Sequence, residues 1–187
     1  QWMIVTNFFY RFRMFEGCYR SNKFFANEPK LFVSYATYLT VPFDEKFLES
    51  APHGADIAGA VEFHRICNLT NNMSKAREII ERLNLNEEEF LAVVLLMFWT
   101  TEELSVSDEV NPLGGRYRGD ILKELYSYYR EEMGLDDYAI RLGELMMLMQ
   151  VFETSTEFNE HFEILRFFNI MTDDNFVYRL QKDLTIS

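Results

Sequence analysis

The sequence predicts an all-α fold, a layered helical sandwich around one core, and three observations carry that reading. Gly and Pro together number 12 among 187 residues, about half the usual share, while Phe, Tyr and Trp make up 16%. The four prolines stand at 29, 42, 52 and 112, so 53–111 and 113–187 lack the residue that most reliably ends a helix. Phe90 to Trp99 is one unbroken apolar run. A helix that is apolar on nearly every face must be covered on more than one side, which makes it the middle layer of a sandwich.

Each element follows in order. Trp2 to Phe25 carries apolar residues at 2, 5, 8, 9, 12, 15 and 19, the stripe of an amphipathic helix. Leu31-Phe32-Val33 and Tyr35 to Val41 are rich in β-branched and aromatic residues between prolines, which predicts a short hairpin, or an irregular loop, near 31–41. Ile57, Val61, His64 and Ile66 restore a helical stripe up to about Asn71, and Ser74 to Leu83 forms another helix. Asn86 can cap the next helix, with Glu89 completing a capping box and Leu85 and Phe90 at the staple positions, so a helix runs from Glu87 to Trp99. Val110 to Gly115 reads as a loop from its Asn-Pro and Gly-Gly pairs. Arg116 to Met133 reads as a helix with Ile121, Leu122, Leu125, Tyr128 and Tyr129 inward, closed by Gly134. Asp136 and Asp137 open a long helix through Phe152, a further stripe follows at Phe158, Phe162, Leu165 and Phe168, and Asp173-Asp174-Asn175 caps a terminal helix, Phe176 to Leu184.

Composition excludes several function classes. The net charge of −12 would repel a phosphate backbone, so direct nucleic-acid contact is not expected. Cys18 and Cys67 are the only cysteines, without CxxC spacing, which excludes a disulfide scaffold, a redox motif and a zinc module and suits a reducing, intracellular setting. No secretory signal is visible, and the longest apolar run falls well short of the ~20 residues that span a bilayer. The chain opens on Gln1 without Met, which reads as a fragment boundary. His53, His64 and His161 lie in separate segments; Glu157, Glu160, His161 and Glu163 cluster, but on a solvated face. GxSxG, GxxxxGK[ST] and GxGxxG are absent, so no enzymatic constellation can be assembled. No metal or cofactor is expected. What stands out instead is Met and Phe in the last third, among them Met146, Met147, Met149, Phe152, Phe167 and Phe168. They can fill a core or line an apolar cavity.

Three segments occur in a familiar order: Asn86 to Trp99 (NEEEFLAVVLLMFW), Arg116 to Tyr129 (RYRGDILKELYSYY) and Arg141 to Met149 (RLGELMMLM). With the opening Asn7 to Glu16 (NFFYRFRMFE), they resemble the ligand-binding domain of nuclear hormone receptors, most like the divergent supplementary receptors of nematodes. The resemblance implies one domain over 1–187, a three-layer helical sandwich with a small β-turn, that starts inside the family fold. It implies no enzyme but a nuclear, ligand-regulated transcription factor whose zinc-bearing DNA-binding module lies outside this chain. A lipophilic ligand would sit among Phe12, Phe15, Met146, Met149, Phe167 and Phe168. A C-terminal activation helix would present Phe176, Val177 and Leu180 to coregulator peptides, although Arg179 stands where the family pattern has a glutamate. Leu142, Leu145, Met146 and Met149 would form the face for a homo- or heterodimer with another receptor, and Glu89 would pair with Arg141 to tie layers together. The rival reading is a ligand-independent helical interaction module with a filled core.

Overall fold

A computed structural model describes residues 2–67, 69–100, 108–153 and 166–170. The chain opens with α1 (Trp2–Phe24), followed by a hairpin of β1 (Lys30–Phe32) and β2 (Tyr38–Thr40) and a 3-10 turn over Glu45–Leu48. Then come α2 (Ile57–Cys67), α3 (Leu69–Leu83), α4 (Glu87–Trp99), α5 (Val110–Ser127), a π-helical turn over Tyr128–Glu132 and α6 (Tyr138–Glu153). The helical sandwich with one small antiparallel hairpin is therefore the architecture the sequence predicts. The stripe of 158–165 and the helix of 176–184 lie outside the described residues.

The core forms where the apolar stripes meet. α4 packs between α1 and α5, with α6 behind it, while α3 packs on α1 and α6. Phe15 of α1 is fully buried, stacked on Phe90 at 5.1 Å between ring centroids and edge-on to Phe152 of α6 at 5.4 Å. Val93, Met97, Leu145 and Leu148 close the same cluster. Truncating a residue such as Phe15 would cost about 3–5 kcal/mol, the lost transfer energy plus the cavity left behind.

The hairpin is held to α1 by backbone proximity. Leu31 pairs with Leu39, and both are buried. A Cβ on Gly17 would stand 2.6 Å from the Phe32 carbonyl oxygen, so only glycine allows this approach. One turn later the buried Ser21 hydroxyl accepts from Phe32 N at 2.8 Å and donates to the Gly17 carbonyl at 2.6 Å. From α3, Arg77 donates to the carbonyls of Phe25, Glu28 and Lys30 and fixes the approach to β1.

Helix ends follow the local chemistry. Asn86 Oδ1 accepts from Glu89 N at 2.8 Å and Glu89 Oε2 accepts from Asn86 N at 3.2 Å, a complete capping box with three acidic residues in the first turn. At the other end of α4, Arg118 donates to the Trp99 carbonyl at 2.6 Å and Arg11 to that of Thr100 at 3.4 Å. Cations there complement the helix dipole. Gly134 takes a φ of +64°, and Leu135 N donates back to the Tyr129 carbonyl at 2.8 Å, closing the π turn as a glycine C′ residue can.

One prediction from turn chemistry is corrected. Val110 to Gly115 is helical, the first turns of α5, rather than a loop. Pro112 is the third residue of that helix, where its missing N–H has no intrahelical acceptor to lose. Gly114 is buried within that helix rather than exposed in a turn.

Candidate functional site

The most developed polar arrangement is a clasp at the N-terminus of α4. Glu89 is fully buried, yet both its oxygens are engaged: Oε1 accepts from Arg141 Nε at 2.6 Å and from Tyr129 OH at 2.9 Å. Oε2 accepts from Arg141 Nη2 at 2.6 Å and from Asn86 N at 3.2 Å. The remaining arm of the guanidinium, Nη1, donates to the Leu83 carbonyl at 2.6 Å. The start of α4, the π turn and the start of α6 thus converge on one carboxylate, and the end of α3 joins them through Arg141. A bidentate, charge-assisted pair of this kind is the geometry in which a buried ion pair holds.

Electrostatics follow the same geometry. The hydrogen bond to Glu89 raises the Arg141 pKa, and burial, followed by the bond to Glu89, raises that of the Tyr129 phenol. The Arg141 guanidinium therefore stays charged and the Tyr129 phenol stays protonated, each bonded to the Glu89 carboxylate. The clasp organises layers. It offers no free base, acid or nucleophile. Tyr129 is the member that sequence reading missed as a polar partner, because an inward aromatic on a helical stripe looks the same whether its hydroxyl is bonded or not.

A second feature is a concavity of about 470 Å³ between α1 and the hairpin. Phe9, Phe12, Val33 and Tyr35 supply apolar walls, and Arg13 and Glu16 supply the charge. The Arg13 guanidinium donates to the Val33 carbonyl, and its burial lowers its pKa. Glu16 pairs with Arg20 at 3.3 Å, and Arg20 also donates to the Tyr35 carbonyl at 2.9 Å. An apolar wall with one guanidinium at its edge suits a lipophilic molecule carrying an oxygen-rich end.

The residues named from sequence fall in different places. Phe12 lines the concavity, whereas Phe15 and Met149 are buried in the core cluster and Met146 packs half-buried against it. Phe168 lies against Gly59 of α2, and Phe167 is 80% exposed. On α6, Leu145 and Met149 turn into the core, Leu142 and Met146 are half-buried, and the outward apolar residues are Ile140 and Met147. Glu89 and Arg141 meet directly. Phe176, Val177 and Leu180 lie outside the described residues, as do Glu157, Glu160, His161 and Glu163.

Among the described residues, no three His, Cys, Asp or Glu side chains are grouped to hold a metal ion. His64 is buried, stacked on Phe43 at 4.4 Å. The Cys18 thiol is buried, and that burial pushes its pKa up to about 12, so it is not a thiolate nucleophile at neutral pH. No described helix is long and apolar enough to cross a membrane.

Comparison with known proteins gives three results. The family described as the ligand-binding domain of nuclear hormone receptor matches residues 1–168. Two curated relatives from Caenorhabditis elegans, the nuclear hormone receptor family members nhr-22 and nhr-28, are 27% identical over 100 residues and 28% identical over 102. Those alignments cover 53% and 54% of this chain but only 17% and 23% of the relatives' lengths. Among solved structures, the Ultraspiracle ligand binding domain from Drosophila melanogaster superposes with a TM-score of 0.67 at 12% identity, covering 100% of this chain and 68% of that one.

Proposed function

Because this chain belongs to the nuclear hormone receptor ligand-binding domain family, a family of ligand-binding domains and not of enzymes, we propose that it is the regulatory part of a ligand-responsive nuclear transcription factor. The observation that carries the reading is the family match across 1–168. The concavity between α1 and the hairpin supplies a place for a lipophilic ligand, with its apolar body against Phe9, Phe12 and Val33 and its oxygen-rich end toward Arg13. Phe15, Met146 and Met149 would act behind that wall rather than on the ligand, while Phe168, packed on α2, and exposed Phe167 would stay outside it.

Partnering with a second receptor would use the outward edge of α6, where half-buried Leu142 and Met146 flank exposed Ile140 and Met147, while Leu145 and Met149 support the helix from within. Coregulator peptides would be met by the segment carrying Phe176, Val177 and Leu180, in the helix-in-groove manner. Contact with DNA, and the zinc it needs, would belong to another part of a longer receptor.

One experiment addresses the ligand. Native mass spectrometry of protein purified from cells, followed by solvent extraction, is expected to find a lipophilic adduct that Phe12→Trp, which fills the concavity, removes without lowering the melting temperature. Finding none, together with no thermal shift from a panel of long-chain carboxylic acids, would sink the ligand reading. The filled-core alternative would then stand, supported by the close stacking of Phe15, Phe90 and Phe152.

A further inference from the structure

We infer that the groove between α4 and α5 is a docking site for a basic amphipathic helix from a protein partner. The starting point is an imbalance in α4. Its inner face carries Val93, Leu96 and Met97, all buried, but Leu91 and Leu95 on the opposite face are 52% and 48% exposed. Across from them, Tyr117 of α5 is 43% exposed and stacked on Trp99 at 4.4 Å, which fixes its ring at the groove. With Ile121 these side chains form an apolar floor in a depression of about 540 Å³. Half-exposed leucines in a row, framed by polar residues, are what a partner's apolar stripe covers.

The frame decides the partner's charge. Glu88, Asp120, Glu124, Glu131 and Glu132 stand around the floor, and among the described residues no Lys or Arg lines it. Lys123 lies nearby, 3.2 Å from Asp120, and offsets one of these charges. Arg130 interacts with Glu131 and offsets a second, so five carboxylates against these two cations still leave the rim acidic. A second copy of this chain, with a net charge of −12, would be repelled by that rim, so self-association is disfavoured there. A helix with an apolar stripe flanked by Lys or Arg satisfies floor and rim together. Tyr117 and Glu132 are separated by 15 positions along the α5 axis and its continuation, so at ~1.5 Å per residue the groove accommodates a helix of about four turns.

The test uses the full chain and three fluorescein-labelled synthetic peptides of sixteen residues, each followed by anisotropy. One has Leu at i, i+3, i+4 and i+7 spacing with Lys on both flanks, one has the same stripe with Glu flanks, and one has the Lys composition in scrambled order. The Lys-flanked stripe is expected to bind at least about tenfold more tightly than either control, and to weaken as salt rises. Leu91→Ser with Leu95→Ser should abolish that difference. Glu124→Lys with Glu131→Lys, both at exposed positions, should reverse the preference toward the Glu-flanked peptide. Equal binding of the scrambled peptide, or binding unmoved by both double variants while their circular dichroism is unchanged, would overturn the assignment. So would sedimentation showing that the groove residues mediate a homodimer.

Discussion

The two faces of α4 differ in how they treat charge. On one, Glu89 is removed from water and satisfied by Arg141, Tyr129 and Asn86, so a single carboxylate fastens α4 to the π turn and α6, and Arg141 carries the link on to the end of α3. On the other, Glu88 stays at the surface beside Leu91 and Leu95, with the acidic side chains of α5 opposite. Adjacent residues of one sequence, Glu88 and Glu89, thus serve opposite ends: the buried charge is a fastening, and the exposed ones select what can approach. The helix period separates them, because residues one apart point about 100° away from each other. Whether a glutamate in this stretch contributes to stability or to recognition is decided by which face it occupies.

The sharpest way to break that contrast is to remove the buried charge. Glu89→Ala leaves Arg141 without its anion in a largely enclosed site and deletes half of the capping box, and is expected to cost about 3–5 kcal/mol. Glu88→Ala, one residue earlier, should change stability by no more than about 0.5 kcal/mol. Urea titrations of the two variants side by side measure the difference directly. Equal losses would mean that the clasp carries no more weight than the surface.

Part of this arrangement is legible in the sequence. Asn86 and Glu89 announce the start of α4 because a capping box is local chemistry, readable from residues three apart. Gly134 likewise marks the end of its segment because only a residue at ease with positive φ closes a helix that way. Arg141 as partner to Glu89 came from the resemblance of segment order, since nothing in a 52-residue separation encodes contact. Tyr129 as third partner was hidden, because an inward stripe position reports burial but not hydrogen bonding. Turn chemistry misleads at Val110 to Gly115: Pro112 and the glycines fit a loop and fit equally a helix that begins there and buries Gly114. On α6 the stripe of Leu142, Leu145, Met146 and Met149 suggested an outward face, but a helix apolar on nearly all sides does not show which side the core will claim. The acidic groove went unread for a related reason, as its floor and rim are on two helices.

Alkaline pH probes the clasp without mutation. The Tyr129 phenol is held above its usual 10.0 by burial and by its bond to Glu89. Below pH 10.0 the phenol is protonated in both folded and unfolded chains, and its contribution is complete. As pH rises past 10.0 the unfolded chain releases the proton while the folded chain keeps it, so stability falls with pH toward the raised value. Tyr129→Phe should flatten that part of the profile, at a cost of about 1 kcal/mol near neutral pH for the lost hydrogen bond. An unchanged slope above pH 10 in denaturation midpoints would mean that the phenol is not coupled to folding.

A similar change at the cap separates the two roles of Asn86. Asn86→Ala removes the acceptor for Glu89 N but leaves the backbone N–H of residue 86 to donate to Glu89 Oε2, so the expected loss is about 1 kcal/mol. Combined with Glu89→Ala it should be less than additive, because both substitutions dismantle the same box.

The smallest effect is expected on the open face, and its smallness is the informative result. Leu91→Ser with Leu95→Ser changes side chains that are already about half in water, so each should shift stability by no more than about 0.5 kcal/mol. Val93→Ala and Leu96→Ala, two positions away from one and next to the other, remove fully enclosed methyls and methylenes, with Leu96→Ala alone expected to cost about 2–5 kcal/mol. Scanning calorimetry on the two pairs therefore compares inner and outer faces with the same helix as host. If the outer pair cost as much as the inner, Leu91 and Leu95 would be covered in solution by part of the chain itself, and α4 would have no free face for a partner. A near-silent outer pair leaves the groove open, and ties any loss of peptide binding in that variant to the contact rather than to the fold.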